Sequence, residues 1–501
     1  MKKKILKYVL ICFLLLVIVK QFQKKKNIKK DNQEIVLDNQ TFDISIHIDK
    51  SFPKQINRNI FGMNTGFVWN TEIDKDSNFV HLLKSSNNQI LRFPGGGVAN
   101  DYQPDEPGYG YNPLKRPIAK PLIMLYNQTK DRKYNIIENF ISLCHQSNAK
   151  AIYCANVLNG SPEKMLYVIK KLKEQNIEVV GVELGNEFNL GNYRHIFPNA
   201  KVYTDTIKRY IHALRKYHPD IPIGLIAEPL NLNQLTDKRS QFMHKWNLAI
   251  SQEDFDAYII HHYFPFDDRQ KVFDNIYLKS SNLIDSATSE FVPNTIQYFK
   301  SIQKNKAKKL WLTEWNIWNA YAFNTFLQAD FVGTFLNQII AQDSNYVFDV
   351  TCMHDIGGLI AGAKNNIQYT YKENTRFASA TYFSYKFLTD IVIKDEAQIV
   401  AIELSQQIKQ FKLYAYYSTK TNQQYLYFSN SSGHQINLKI DAVVKSINYN
   451  YIVANKLYAH TGEAHFIKDN PTKNEFIELK KETIQNNTIS IKPYSLGVIQ
   501  Y

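Results

Sequence analysis

Between about residues 57 and 390 the chain alternates eight short β-prone runs with stretches of helical periodicity, which restricts the fold more than any other feature. The runs are IFGMNTG (60–66), QILRFPG (89–95), AIYCANV (151–157), VVGVELGNE (179–187), IPIGLIAE (221–228), FDAYIIHHY (255–263), KLWLTEW (309–315) and VFDVTCMHD (347–355). Amphipathic segments lie between several of them. Ser161 can cap a helix and Pro162 suits its first position; Met165, Leu166, Ile169 and Leu172 then follow at helical spacing. Tyr203, Ile207, Tyr210, Ile211 and Leu214 repeat the pattern until His218-Pro219 stops it. Strands alternating with helices make a parallel sheet, and eight is the number that closes a (β/α)8 TIM barrel. The connection over 264–308 reads as long and irregular. An open doubly wound α/β sheet is the alternative, but it usually carries a glycine-rich phosphate loop after its first strand, and GMNTG is not one.

From about residue 395 the pattern changes. QFKLYAYYS, QQYLYFSNSSG, HQINLKI, NYNYIVANKLY and ISIKPYSLGVIQY alternate apolar and polar residues between turn signals, which predicts an additional C-terminal antiparallel β-sandwich domain. TFDISIHID (41–49) alternates in the same way and can add a strand to it. The expected organisation is an N-terminal segment over 1–30, a linker and sandwich strand over 31–56, the barrel over 57–390 and the sandwich over 391–501.

A net charge of +14 suggests nucleic acid until the charge is located. Residues 1–30 hold ten lysines and no acid; without them 50 basic residues face 46 acidic ones. No basic stripe accompanies a nucleic-acid fold pattern, so no nucleic-acid partner is expected. In that N-terminal segment, lysines flank an apolar run from Tyr8 to Val19, the pattern of a signal or signal anchor. No small-x-small cleavage site follows, so a retained anchor is expected, with membrane association and the rest of the chain extracytoplasmic. Cys144, Cys154 and Cys352 lie far apart in apolar surroundings and form no CxxC pair, which predicts buried free thiols.

In a (β/α)8 barrel the active site sits at the C-terminal ends of the strands. The polar residues there are Arg92, Asn156, Asn186 with Glu187, Glu228, His261 with His262 and Tyr263, Glu314 with Asn316, and His354 with Asp355. Glu187 closes the fourth strand and Glu314 the seventh. Each ends an apolar run, where an ionised carboxylate is costly unless it is paired. Glycosidic bond cleavage needs a proton donor for the leaving oxygen and a carboxylate for the anomeric carbon. Two carboxylates from opposite sides of a barrel mouth meet that need, and a separation of roughly 5–5.5 Å lets the second attack directly. Glu183, four residues before Glu187 on the same strand face, lies roughly 13 Å away at about 3.3 Å per residue. It cannot share a reaction centre with Glu187, and a buried pair with a barrel arginine is expected instead. Trp69, Tyr109, Trp315, Trp318 and Tyr321 are candidates for sugar stacking, Trp318 and Tyr321 foremost, and Asn156 is a candidate subsite residue.

GNE at the end of the fourth strand and TEWN at the end of the seventh resemble the acid/base and nucleophile motifs of retaining glycoside hydrolases of clan A. RFPGG resembles the R-x-PGG of the α-L-arabinofuranosidase family in that clan, and ELGNE also resembles heparanase and related β-glucuronidases. The resemblance covers about residues 57–390, and the sandwich is similar to those families' C-terminal domain. It implies Glu187 as acid/base, Glu314 as nucleophile, and Asn186 bonded to the sugar hydroxyl beside the anomeric carbon. It further implies that Arg92 holds Glu314 ionised and that Tyr263, or else His261, donates to Glu314. The partner would be a carbohydrate, cleaved by double displacement without a cofactor. HHYF, the Phe-Asn after GNE and the missing Asn after the double glycine depart from these families' patterns, and they leave the sugar open.

Three other readings compete. A metal-dependent barrel hydrolase would use His261, His262 and His354 with a carboxylate, but adjacent residues of a strand point to opposite faces, so His261 and His262 cannot serve one ion; no metal is expected. A non-catalytic glycan-binding barrel would usually have lost one of the two carboxylates. A transglycosidase would use the same residues.

Overall fold

The computed structural model describes residues 40–501 apart from 67, 71, 112–119, 266–272, 304–306, 319–323, 363–375, 442–444 and 456–476. The expected anchor over residues 1–30 lies outside the described residues. Among those described, no helix is long and apolar enough to cross a membrane.

Strand β1 (Thr41–Lys54) belongs to a second sheet. The eight predicted runs form β2 (Gly62–Asn64), β3 (Ile90–Phe93), β4 (Lys150–Ala155), β5 (Val179–Leu184), β6 (Ile223–Ile226), β7 (Ala257–Pro265), β8 (Lys309–Trp318) and β9 (Phe348–Met353). They pair in parallel in chain order, and β9 returns to β2 through Gly62 and Cys352, closing the barrel. Small residues face large ones inside it. The indole of Trp311 fills space that Gly181 and Gly224 leave open, since a Cβ at either would come within 2.2 or 2.6 Å of the ring.

Two predicted helices form where their signals lie. Ser161 caps Pro162–Glu174, accepting from the Lys164 N–H at 3.3 Å; Met165, Val168, Ile169 and Leu172 are buried, while Leu166 is only half-buried. Asn199 caps Ala200–Tyr217, whose buried face carries the five predicted residues. The 264–308 connection differs from expectation, because Phe273–Ile302 is one long helix with Pro293 inside. Proline costs an isolated helix about 3 kcal/mol. Here burial of Phe291, Val292, Tyr298 and Phe299 against the barrel sustains what propensity alone would break.

Beyond the short pair β10 (Ile360–Gly362) and β11 (Arg376–Ala378) come β12 (Gln398–Leu404), β13 (Phe411–Ser418), β14 (Gln423–Asn430), β15 (Gln435–Ile440), β16 (Ile447–Ala454), β17 (Ile477–Ile484), β18 (Thr488–Ile491) and β19 (Ser495–Gln500). With β1 they make a nine-stranded, sandwich-like sheet in the order β17-β16-β19-β14-β13-β12-β1-β15-β18. It is mixed rather than purely antiparallel, for β1 runs antiparallel to β12 and parallel to β15. Tight hairpins force antiparallel neighbours, but β1 is remote in sequence from both partners and its direction is free. Alternation along β14 joins the domains: Tyr425 and Tyr427 pack into the barrel's hydrophobic core, Leu426 and Phe428 into the sheet's own. Cys144, Cys154 and Cys352 are buried and free, as expected.

Candidate active site

Glu187 reaches the barrel mouth through an unusual turn. The apolar β5 ends at Leu184, and Gly185 follows with φ +90°. A Cβ there would stand 2.2 Å from the ring of Phe188, which is buried against Tyr193, Phe197 and Tyr203. Glu187 itself adopts φ +56°, a left-handed conformation that side-chain-bearing residues adopt sparingly and that gathers at functional sites. Asn100 ties the turn down: its Oδ1 accepts from the Asn186 N–H at 3.0 Å, and its Nδ2 donates to the Asn186 carbonyl at 2.7 Å. Gly185→Ala is therefore expected to cost about 2–3 kcal/mol of stability, from strain and overlap together. A thermal melt within a degree of wild type would show that the turn yields freely.

Glu314 arrives through a bulge. In the β7–β8 ladder Ile260 pairs with Leu312 and His261 with Glu314, so Thr313 is an extra residue that re-aims the next side chain. Arg92 Nη1 donates to Glu314 Oε1 at 2.7 Å, and Tyr263 Oη donates to Oε2 at 2.7 Å. Burial works against ionisation of Glu314, but His261, His354, Arg92 and the Tyr263 hydroxyl outweigh it. Its carboxyl is thereby held well below the usual carboxylate range. Arg92 is itself buried between carboxylates: its Nε and Nη2 donate to Glu183 Oε2 at 2.8 and 2.6 Å, and Nη2 also to Asn186 Oδ1 at 2.9 Å. Glu183 thus has the arginine partner expected of it.

The two glutamates face each other. An oxygen of Glu187, an oxygen of Glu314 and a nitrogen of His261 all lie within 4.8 Å of one another. His261 Nδ1 is 3.0 Å from Glu187 Oε1 and 3.8 Å from Glu314 Oε2. Burial would lower the pKa of this imidazole, yet the two carboxylates raise it. Among the described residues, Glu187, His261 and Glu314 are also a group whose spacing could admit a cation, a different set from the three histidines considered above. His262, as its strand position requires, stacks on Phe291 instead, and burial depresses it to about 4. The side chain of Glu187 is 30% exposed and that of Glu314 only 5%. Glu187 therefore meets the cleft, while Glu314 is sheltered from it.

Other expected contacts differ. Trp69, Tyr109 and Trp315 are buried in the core and offer no face to a sugar. The Asn156 amide is already engaged, with Nδ2 donating to the Tyr102 carbonyl in the segment after β3 at 3.0 Å and Oδ1 accepting from the N–H groups of Leu158 and Asn159 in its own loop. Trp318 ends β8, though its side chain, like the whole of Tyr321, lies outside the described residues. One participant carried no sequence signal of its own: Asn100 in the loop after β3, which holds the backbone of Asn186. A cleft of about 670 Å³ opens beside Glu187 and His261 toward Glu228 and Arg239.

No family model matches the sequence, and no curated protein does. Solved structures do. The GH51 arabinofuranosidase from Xanthomonas axonopodis pv. citri superposes with a TM-score of 0.66 at 14% identity, covering 91% of this chain and 99% of that one. This chain has the GH51 arabinofuranosidase fold. The α-L-arabinofuranosidase from Thermotoga maritima, solved with arabinose, gives 0.62 at 16% identity, with 91% and 99% covered. A GH86 enzyme in complex with neoagarooctaose gives 0.54 at 13%, covering 91% of this chain and 78% of its own. At these identities the likeness is one of architecture, a parallel barrel followed by a β-sandwich-like domain.

Proposed function

We propose that this protein is a retaining glycoside hydrolase in which Glu187 is the acid/base and Glu314 the nucleophile. The observation that carries the reading is the pair of carboxylates, an oxygen of each lying within 4.8 Å of the other. That separation suits direct attack, whereas inversion needs about 6.5–9.5 Å to admit a water. Glu314, held ionised by Arg92 and Tyr263, attacks the anomeric carbon as Glu187 gives its proton to the leaving oxygen. The C–O bond breaks and a glycosyl ester forms on Glu314. Water, deprotonated by Glu187, then attacks the same carbon, and the electron pair of the ester bond returns to Glu314. Asn186, oriented by Arg92, would meet the hydroxyl beside the anomeric carbon.

The GH51 neighbours make an α-L-arabinofuranoside the first substrate to try. A panel of 4-nitrophenyl glycosides, with the α-L-arabinofuranoside at its head and β-D-glucoside, β-D-xyloside and β-D-glucuronide beside it, should reveal turnover on at least one. Proton NMR of the first-formed product should show retained anomeric configuration. Inverted product, or a folded protein inert across the panel, would sink the reading.

A further inference from the structure

The cleft does not run symmetrically from the two glutamates. It extends from Glu187 and His261 past the end of β6 to the start of the helix Lys238–Ile250, and Glu314 is not among its walls. In a double displacement the nucleophile lies under the sugar that is retained, and the acid stands over the oxygen that departs. Space on the acid's side is where the departing unit sits.

One carboxylate dominates that space. Glu228 Oε1 accepts from Arg239 Nη2 at 2.9 Å and Oε2 from Asn189 Nδ2 at 3.1 Å. Its backbone N–H is held by Asn247 Oδ1 at 3.1 Å, and its side chain is only 18% exposed. Each carboxylate oxygen can accept a second hydrogen bond. Glu228 is therefore held at three points while it lines the pocket, and each of its oxygens keeps capacity for one more hydrogen bond. Leu230 and Met243 supply apolar wall for a sugar's C–H face. The charge balance is also specific. With Glu187 protonated for its role as acid, Glu228 and Asp237 remain as the carboxylates of the lining, and the guanidinium of Arg239 is already paired with Glu228, so a carboxylate or sulfate on the ligand would face Glu228 without an unpaired guanidinium to receive it.

We propose that this lateral pocket is the leaving-group subsite and that Glu228, positioned by Arg239 and Asn189, accepts hydrogen bonds from a vicinal hydroxyl pair of a neutral sugar there. The proposal rests on the retaining-glycosidase reading and adds the class of the departing unit: an uncharged sugar, not a uronic acid or a sulfated one.

The test takes the glycone of whichever 4-nitrophenyl glycoside turns over fastest and compares three leaving groups on it: nitrophenol, glucose and glucuronic acid. The quantity read is the ratio of kcat/KM for the glucose-linked disaccharide to that for the nitrophenyl glycoside. In Glu228→Gln this ratio should fall about 10- to 100-fold, the worth of charge-assisted hydrogen bonds to the sugar. In Arg239→Ala, which removes a largely exposed side chain and leaves the pocket floor intact, it should fall several-fold. Wild type should favour glucose over glucuronic acid by about tenfold or more, and Glu228→Gln should narrow that preference. Unchanged ratios in both variants, or a wild-type preference for glucuronic acid, would overturn the subsite while leaving the glycosidase reading intact. Inactivity of wild type on all three substrates would bring down both.

Discussion

Glu314→Gln should lower kcat by about 10⁴-fold or more on the best glycoside while leaving the barrel folded. The size follows from the chemistry: an amide oxygen is a poor nucleophile and cannot give the glycosyl ester through which both half-reactions pass. A 10⁴-fold loss is about 5 kcal/mol of barrier. The folding half of the expectation follows from the charges around Arg92. Breaking a buried ion pair commonly costs about 3–5 kcal/mol because it strands the partner. Arg92 is not stranded here, since Glu183 still accepts from its Nε and Nη2. Glutamine also keeps the shape of glutamate and can still accept from Arg92 through its Oε1. The comparison that separates chemistry from collapse is Glu183→Gln. It leaves Glu314 in place but removes the charge of the carboxylate that takes two of the guanidinium's bonds, and it should shift the thermal melt more than Glu314→Gln does. An active Glu314→Gln, retaining more than about a hundredth of wild-type kcat, would remove Glu314 from the nucleophile's role.

Which parts of this site were legible in the sequence follows from where the information lies. Glu187, Glu314 and Arg92 stood out because each is a charge ending or interrupting an apolar run, and burial makes such residues expensive unless paired. The barrel then brings them together because all three sit at the same end of their strands. Strand geometry separates Glu183 from Glu187 only on the premise of one continuous strand, whereas β5 ends at Leu184 and Glu187 lies beyond the turn; what sets Glu183 apart is its buried pair with Arg92. What stayed hidden depends on backbone detail or on contacts between distant loops. The bulge at Thr313, which aims Glu314, changes register by one residue and leaves no mark in composition. The left-handed turn at Glu187 can be glimpsed only in the Gly185 before it. Asn100 and Arg239 are ordinary polar residues in a loop and at a helix start, and only the fold carries them to Asn186 and Glu228. The aromatics misled for the opposite reason. Trp69, Tyr109 and Trp315 have the chemistry to stack on sugar, but an indole or phenol ring serves a core equally well, and sequence does not say which way it points. In the sandwich domain alternation revealed the strands, while the parallel pairing of β1 with β15 is set by a long excursion through the barrel and could not be read locally.

Glu187→Ala should behave differently from Glu314→Gln, and the difference identifies the acid/base. Removing a general acid costs about 10²–10⁴-fold, but only where a proton is needed. A disaccharide, whose departing alkoxide must be protonated, should lose the most. A 4-nitrophenyl glycoside, whose phenolate departs unaided, should form the glycosyl ester nearly normally and then stall, because no base activates water for the second step. The expected signature is a burst of nitrophenolate, followed by slow steady turnover at a low KM. Azide should relieve the stall. The side chain of Glu187 lines the open cleft, and its removal leaves room beside the anomeric carbon for a small anion that needs no deprotonation. Azide attacks that carbon, the C–O bond to Glu314 breaks with its electron pair returning to the carboxylate, and the product is a glycosyl azide of retained configuration. The same addition to Glu314→Gln should do nothing here, since no ester has formed. His261 complicates the assignment, because it lies 3.0 Å from Glu187 and could hold the proton in its place. If it did, Glu187→Ala would keep its disaccharide activity, and azide would change neither rate nor product. That result would transfer the acid's role to His261 and leave Glu187 as the group that positions it.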